Sequence, residues 1–149
     1  MGGGLTLFID ASAIVAIIGL EDDADDLMDR LTQHDGQFYV SAVVRMEAVL
    51  SLTRQFAEVE GPNKPATPAM LAKARQLVDQ FIGDLAAKET VIGDDVGTKA
   101  IDAAQRYGKI VNHPAKLNMG DCFAYACAQA NRLRIAYKGH DFSETDLAW

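Results

Sequence analysis

The chain predicts an α/β domain built on a mostly parallel sheet with helices on both faces, and three observations carry that prediction. Short β-forming runs near residues 5–9, 37–40, 89–92 and 134–137 alternate with longer stretches of three-to-four periodicity, as right-handed crossovers between parallel strands require. The first run, Leu5-Thr6-Leu7-Phe8-Ile9, has four large apolar residues in five, the pattern of a strand buried on both faces. It stops on Asp10, at the carboxyl edge where open α/β sheets bind ligands.

The elements follow in order. Residues 1–4, with Gly2-Gly3-Gly4, read as a flexible lead-in. Residues 12–19 predict a first helix, broken at Gly19, and residues 24–33 a second whose acidic start suits a helix N-terminus. The Glu21-Asp22-Asp23 run reads as a solvated face. After the strand at 37–40, Ser41 is placed to N-cap a helix over 42–56. Val43, Glu47, Leu50 and Arg54 share one stripe of that helix. Three of the four prolines fall in 58–68, which reads as an exposed loop. A long amphipathic helix over 69–87 precedes the strand at 89–92. A helix over 96–107 then turns Ala100, Ile101 and Ala104 inward and ends at Gly108. An irregular stretch follows, then a helix over 121–131 and the last strand. Neither side of the proline-rich loop holds a complete alternating set, so residues 1–149 form one domain.

Composition bounds the function. At 149 residues and 49% hydrophobic, the chain can bury one core without staples. No apolar run approaches the roughly 18 residues of a membrane span, and the start lacks a signal-peptide layout, so a cytoplasmic protein is expected. Cys122 and Cys127 lie on different faces of one predicted helix and read as free core thiols. No Cys/His cluster has zinc spacing. A net charge of −7 argues against broad electrostatic binding of nucleic acid and leaves only a local site.

Four acids invite a joint reading. Asp10 and Asp141 follow strands at one sheet edge, Asp121 opens a helix of small residues, and Glu47 lies on or beside an apolar helix face. Each has an ordinary explanation: Asp10, or Ser12, as a helix cap, Asp121 as another cap, Asp141 in a Gly-His-Asp turn. Brought together they would repel and raise one another's pKa values. Hard divalent cations such as Mg²⁺ or Mn²⁺ take oxygen ligands and remove that conflict, which suits phosphodiester hydrolysis by a metal-activated water.

The blocks Ile9-Asp10-Ala11-Ser12-Ala13, Glu47, Leu117-Asn118-Met119-Gly120-Asp121-Cys122-Phe123-Ala124-Tyr125-Ala126 and Tyr137-Lys138-Gly139-His140-Asp141-Phe142 resemble the PIN-domain ribonucleases, in particular VapC-type toxins of bacterial toxin–antitoxin pairs. The resemblance covers nearly the whole chain and implies a three-layer α/β/α fold. It implies Asp10, Glu47, Asp121 and Asp141 as catalytic ligands of Mg²⁺ or Mn²⁺, with Ser12 auxiliary near the first acid. Relatives often carry Asp or Asn at the position of His140, so either residue of the His140-Asp141 pair can face the metals. It further implies an endoribonuclease giving 5′-phosphate and 3′-hydroxyl products, a homodimer, and a cognate VapB-type antitoxin whose tail fills the groove in a hetero-oligomer. Lys109, His113, Lys116 and Lys138 are the candidate RNA contacts, each with solvated surface charge as the plain alternative.

Other readings are weaker. A receiver-type signalling domain needs an acidic pair after the first strand and an Asp after a central one, where this chain has a single Asp10 and Val40-Ser41. A haloacid-dehalogenase-type phosphatase needs a second Asp where Ser12 stands. A catalytically inactive PIN-like binding module is the alternative of a different class.

Overall fold

The four strands Leu7–Ile9 (β1), Phe38–Val40 (β2), Lys88–Glu89 (β3) and Arg134–Ala136 (β4) pair in the order β3-β2-β1-β4, every pair parallel. The computed structural model describes residues 6–149; the lead-in and Leu5, where the first strand is expected to begin, lie outside the described residues. β1 is interior, flanked by β2 and β4, and its three residues are buried, which is why the run lacks alternation. The strand order reverses between β1 and β4, so the crevice beyond their carboxyl ends is the topological switch point of the sheet.

Among the described residues six α-helices surround the sheet: Ala11–Ile18 (α1), Ala24–Thr32 (α2), Ala42–Glu60 (α3), Pro68–Asp84 (α4), Asp94–Tyr107 (α5) and Met119–Ala130 (α6). α3 packs on α1 and α4, and α6 on α5, β1 and β4. One connected apolar core draws on β1, β2, β4 and all six helices. The small residues Ala124, Ala126 and Ala128 of α6 are fully buried, allowing the helix to lie close on the sheet. Cys122 and Cys127 are buried free thiols. Among the described residues no helix is long and apolar enough to cross a membrane.

Five expectations need correction. The loop at 58–68 is shorter: α3 continues through Glu60 until Gly61, whose φ of 139° stops it. Pro68 starts α4 at a position that needs no N–H donor, behind Thr67, whose side chain accepts from Met70 N at 3.2 Å. That helix ends at Asp84 rather than 87, and the strand after it is only Lys88–Glu89. α6 begins at Met119, not Asp121. Asn118 is the cap, and Asp121 closes a capping box from the third helical position: Asn118 Oδ1 accepts from Asp121 N at 2.9 Å and Asp121 Oδ2 from Asn118 N at 3.1 Å. Finally, Ile101 faces outward with 71% of its surface exposed, while Ala100 and Ala103 take the buried positions.

Candidate active site

Asp10 is both a helix cap and a buried acid. Its backbone N–H donates to Ala136 O at 2.9 Å, joining it to the end of β4. Its Oδ2 accepts from Ser12 N at 3.0 Å and from Ser12 Oγ at 2.6 Å, the cap of α1. Ser12 Oγ in turn accepts from Lys138 N at 3.0 Å. Ser12 therefore fixes the carboxylate of Asp10 and ties the ends of β1 and β4 across the switch point. Asp10 is only 5% exposed. Burial raises its pKa, the hydrogen bonds from Ser12 and Ala11 oppose the rise, and the charge of Asp141 adds to it.

Glu47 and Asp121 line one cleft with Asp10, of about 530 Å³. Ser41 caps α3 by accepting from Val44 N at 3.1 Å, which sets the phase that brings Glu47 to the cleft. Burial pushes Glu47 up to about 7, with the charges of Asp10 and Asp121 adding to the rise. Asp121 is also pushed up to about 7, by burial and then by Asp10 and Asp141, against the opposing hydrogen bond from Asn118 N–H. The approach of α6 to α3 depends on Gly120. A Cβ there would stand 1.9 Å from Glu47 Oε2 and 2.6 Å from Oε1, so the carboxylate of Glu47 occupies the space a side chain at 120 would need.

Asp141 is exposed at the start of the 3₁₀ turn Phe142–Glu144, which the buried ring of Phe142 anchors. It does not line the cleft, yet its charge bears on both Asp10 and Asp121. His140 is exposed, and its carbonyl accepts from Ser143. Of the adjacent pair, Asp141 is the one electrostatically joined to the other acids. The four sequence-selected acids thus cluster electrostatically, three on the cleft wall and one at its rim. Among the described residues no three His, Cys, Asp or Glu side chains are gathered as a ready-made metal cage.

The sequence-selected basic residues divide. Lys138 lines the cleft; Lys109, His113 and Lys116 do not. His113 is engaged within its own turn, with Nδ1 accepting from Ala115 N at 3.0 Å and its ring edge-on to Tyr107 at 5.2 Å. Arg54 and Glu21 on the cleft wall were not selected as site residues from the sequence. The signal for Arg54 was its place seven residues after Glu47 on one stripe. Glu21 gave none beyond an acidic run.

A family model described as PIN domain matches residues 7–147. The chain belongs to the PIN-domain family. This PIN domain is 47% identical over 140 residues to a VapC ribonuclease of Rhizobium meliloti, covering 94% of this chain and 98% of the relative. It is 31% identical over 142 residues to the ribonuclease VapC of Mycolicibacterium smegmatis, covering 95% and 98%. Among solved structures it resembles Mycobacterium tuberculosis VapC20, described as a sarcin–ricin loop cleaving toxin, with a TM-score of 0.69 at 14% identity over 95% of this chain and 96% of that one. A toxin–antitoxin complex from Klebsiella pneumoniae superposes with a TM-score of 0.63 at 16% identity, covering 96% and 95%. At these identities the structural matches establish the fold.

Beside the acid cleft, this PIN domain carries an apolar surface formed by α5, the 3₁₀ turn Lys109–Val111 and the start of α6. Ile101, Ile110 and Met119 are 71%, 89% and 77% exposed there. Exposed apolar side chains gathered on one face make it a candidate partner surface.

Proposed function

We propose that this chain is an endoribonuclease toxin of the VapC type, hydrolysing RNA phosphodiester bonds with the aid of Mg²⁺ or Mn²⁺ and silenced by a cognate antitoxin. The observation that carries the reading is the convergence of Asp10, Glu47 and Asp121 on one cleft at the switch point, each held above the ordinary carboxylate range by burial and by its neighbours. The 47% identity to a VapC ribonuclease over nearly the full length of both chains supports it.

The residues fit a hard divalent cation: the donors are all carboxylate oxygens, and a site of like charges gains most from a countercharge. Asp10, Glu47 and Asp121 would hold it, with Asp141 adding negative potential from the rim. When bound, such a cation supplies positive charge toward the phosphate and eases deprotonation of water. Ser12 holds Asp10 in one rotamer through two hydrogen bonds on Oδ2, leaving Oδ1 outside that hydrogen-bonding pair. Asn118 restrains Asp121 through the capping box. Gly120 leaves room for Glu47. Arg54, with no ion pair among the described residues, gives the cleft wall a guanidinium suited to a backbone phosphate.

The test is cleavage of labelled RNA by purified protein in Mg²⁺ or Mn²⁺. Activity is expected to vanish on chelation and in Asp10→Asn. Cleavage that survived both would overturn the metal-nuclease reading, and intact protein inert under every condition would favour the inactive binding module.

The antitoxin is inferred to place a basic side chain in the acid cleft, where three carboxylates would receive it; charge reversal of that side chain is expected to release activity. We further infer that the apolar surface is the homodimer face. α5 carries Asp94 and Asp95 in its first turn and Arg106 in its last, with Lys109 following. Two copies crossing antiparallel near Ile101 would set acidic ends against basic ends, the self-complementarity a two-fold interface needs. Ile101→Glu is expected to convert the dimer to monomer in sedimentation at micromolar concentration; an unchanged dimer would place the interface elsewhere.

A further inference from the structure

Among the described residues Lys138 is the only lysine on the wall of the acid cleft, and its charge is already taken. Its backbone is fixed by the hydrogen bond to Ser12 Oγ, which places it immediately beside Asp10 at the end of β4. Its ammonium bridges two carboxylates from the connector between α1 and α2: it donates to Glu21 Oε1 and stands 3.3 Å from Asp23 Oδ1. Asp23 Oδ1 is buried and accepts no hydrogen bond; the Lys138 ammonium is its one ionic neighbour among the described residues. Glu21 lines the same cleft. The three side chains are each about one-third exposed, at 34%, 30% and 38%, so solvent and a solvated anion reach the pair.

A carboxylate and a backbone phosphate present the same group to a lysine, an anionic oxygen accepting from N–H. In a chain of net charge −7, a cleft cation cancelled by two acids attracts no nucleic acid until an anion displaces them. Ion pairs at this exposure are weak, so such an exchange is feasible.

We propose that Lys138 binds a backbone phosphate of the RNA in the cleft, and that Glu21, assisted by Asp23, occupies that phosphate's place in the free protein. RNA binding is then an exchange of a carboxylate for a phosphate on one ammonium. Only an RNA that sets a phosphate at this point beside Asp10 recovers the displaced pair, which gives the cleft selectivity for backbone register. The inference rests on the nuclease reading and names one of its substrate contacts.

The test is a double-mutant cycle on RNA binding, in an Asp10→Asn background with Mg²⁺ present so that the RNA stays intact, using Glu21→Gln, Lys138→Met and the pair. Glu21→Gln is expected to tighten binding about threefold to tenfold with little change in salt dependence, since Lys138 meets the same phosphate in both proteins, whereas Lys138→Met is expected to flatten the log–log slope by about 0.7, the loss of one phosphate contact on single-stranded RNA. In the Lys138→Met background Glu21→Gln is expected to change nothing. Acetylation of the free protein, read by mass spectrometry, adds an arm independent of RNA. Lys138 is expected to react more slowly than Lys109 in the wild type and to approach it in Glu21→Gln. If the gain from Glu21→Gln persisted without Lys138, Glu21 would act by general repulsion and the proposal would fall. It would fall equally if Glu21→Gln left affinity unchanged or weakened it, since the bridge would then only pin the connector. A wild-type chain that binds and cleaves no RNA would overturn the nuclease reading and this inference with it, whereas RNA binding without coupling would overturn this inference alone.

Discussion

Gly120→Ala is expected to abolish metal-dependent RNA cleavage, by about a hundredfold or more, while leaving the protein folded. A methyl group at 120 would fall 1.9 Å from Glu47 Oε2 and 2.4 Å from Glu47 Cδ, well inside contact distance. The atoms it meets are the far end of a flexible side chain, so the carboxylate swings aside and the backbone of α6 holds. What is lost is the position of one of the three cleft acids, and misplacing a group by about 1 Å can cost about a hundredfold in rate. Stability is expected to move little, because the displaced carboxylate leaves a site where burial and two like charges had raised its pKa to about 7. The measurement pairs an initial cleavage rate with a thermal melt. Wild-type activity in Gly120→Ala would show that Glu47 takes no part in the reaction. A large fall in Tm would show instead that Gly120 serves the packing of α6.

The sheet and its edge were legible because burial writes directly into composition. β1 reads as an unbroken apolar run since neighbours cover both its faces, and it ends on an acid since the chain leaves the sheet at the switch point. Helix ends were less legible. Asp121 looked like a cap because it precedes a small-residue run, but Asn118 three residues earlier satisfies the same backbone donors, and two polar residues at that spacing form a box in which either can be mistaken for the start. Ile101 was placed in the core because periodicity gives the phase of a stripe and not its width; Ala100 and Ala103 fill the interior, and the larger side chain turns to the apolar surface. The cluster of Lys138 with Glu21 and Asp23 was illegible for another reason. Lys138 lies more than a hundred residues from the two acids, and only the pairing of β4 beside β1 brings them together. An acidic run that reads as solvated is, in its folded place, the counter-charge of a cleft lysine. Gly120 stood in a recognisable block, but the room it leaves for Glu47 was not legible, since that meaning lies in a carboxylate from another helix.

In the absence of divalent cations, the protein is expected to lose stability as pH rises from about 5 to about 8, the reverse of ordinary acid denaturation. Glu47 and Asp121 both sit near 7 in the folded state, against model values of 4.5 and 3.8. Between those limits the native state binds more protons than the unfolded chain, so the slope of stability against pH is negative. The contribution is fully present below the unfolded values and is lost as pH passes through 7. Both groups retain solvent contact and interact with one another, which reduces the effect to about 1–3 kcal/mol, or roughly 3–10 °C in Tm for a chain of this size. Saturating Mg²⁺ or Mn²⁺ is expected to reverse the trend, because a cation that binds the ionised acids stabilises the folded state most where they are deprotonated. Asp10→Asn tests how much of the profile depends on Asp10. Burial is the larger cause at both groups and the charge of Asp10 a lesser one, and Asp10 is itself raised by burial, so that variant, which removes its charge and its own titration together, is expected to flatten the profile in part, and Glu47→Gln with Asp121→Asn to leave only the contribution of Asp10. Thermal melts across this pH range, with chelator and with metal, decide the matter. A flat profile in chelator, or one that Asp10→Asn abolishes entirely, would mean that the acids are coupled differently from the arrangement of β1, α3 and α6 described above.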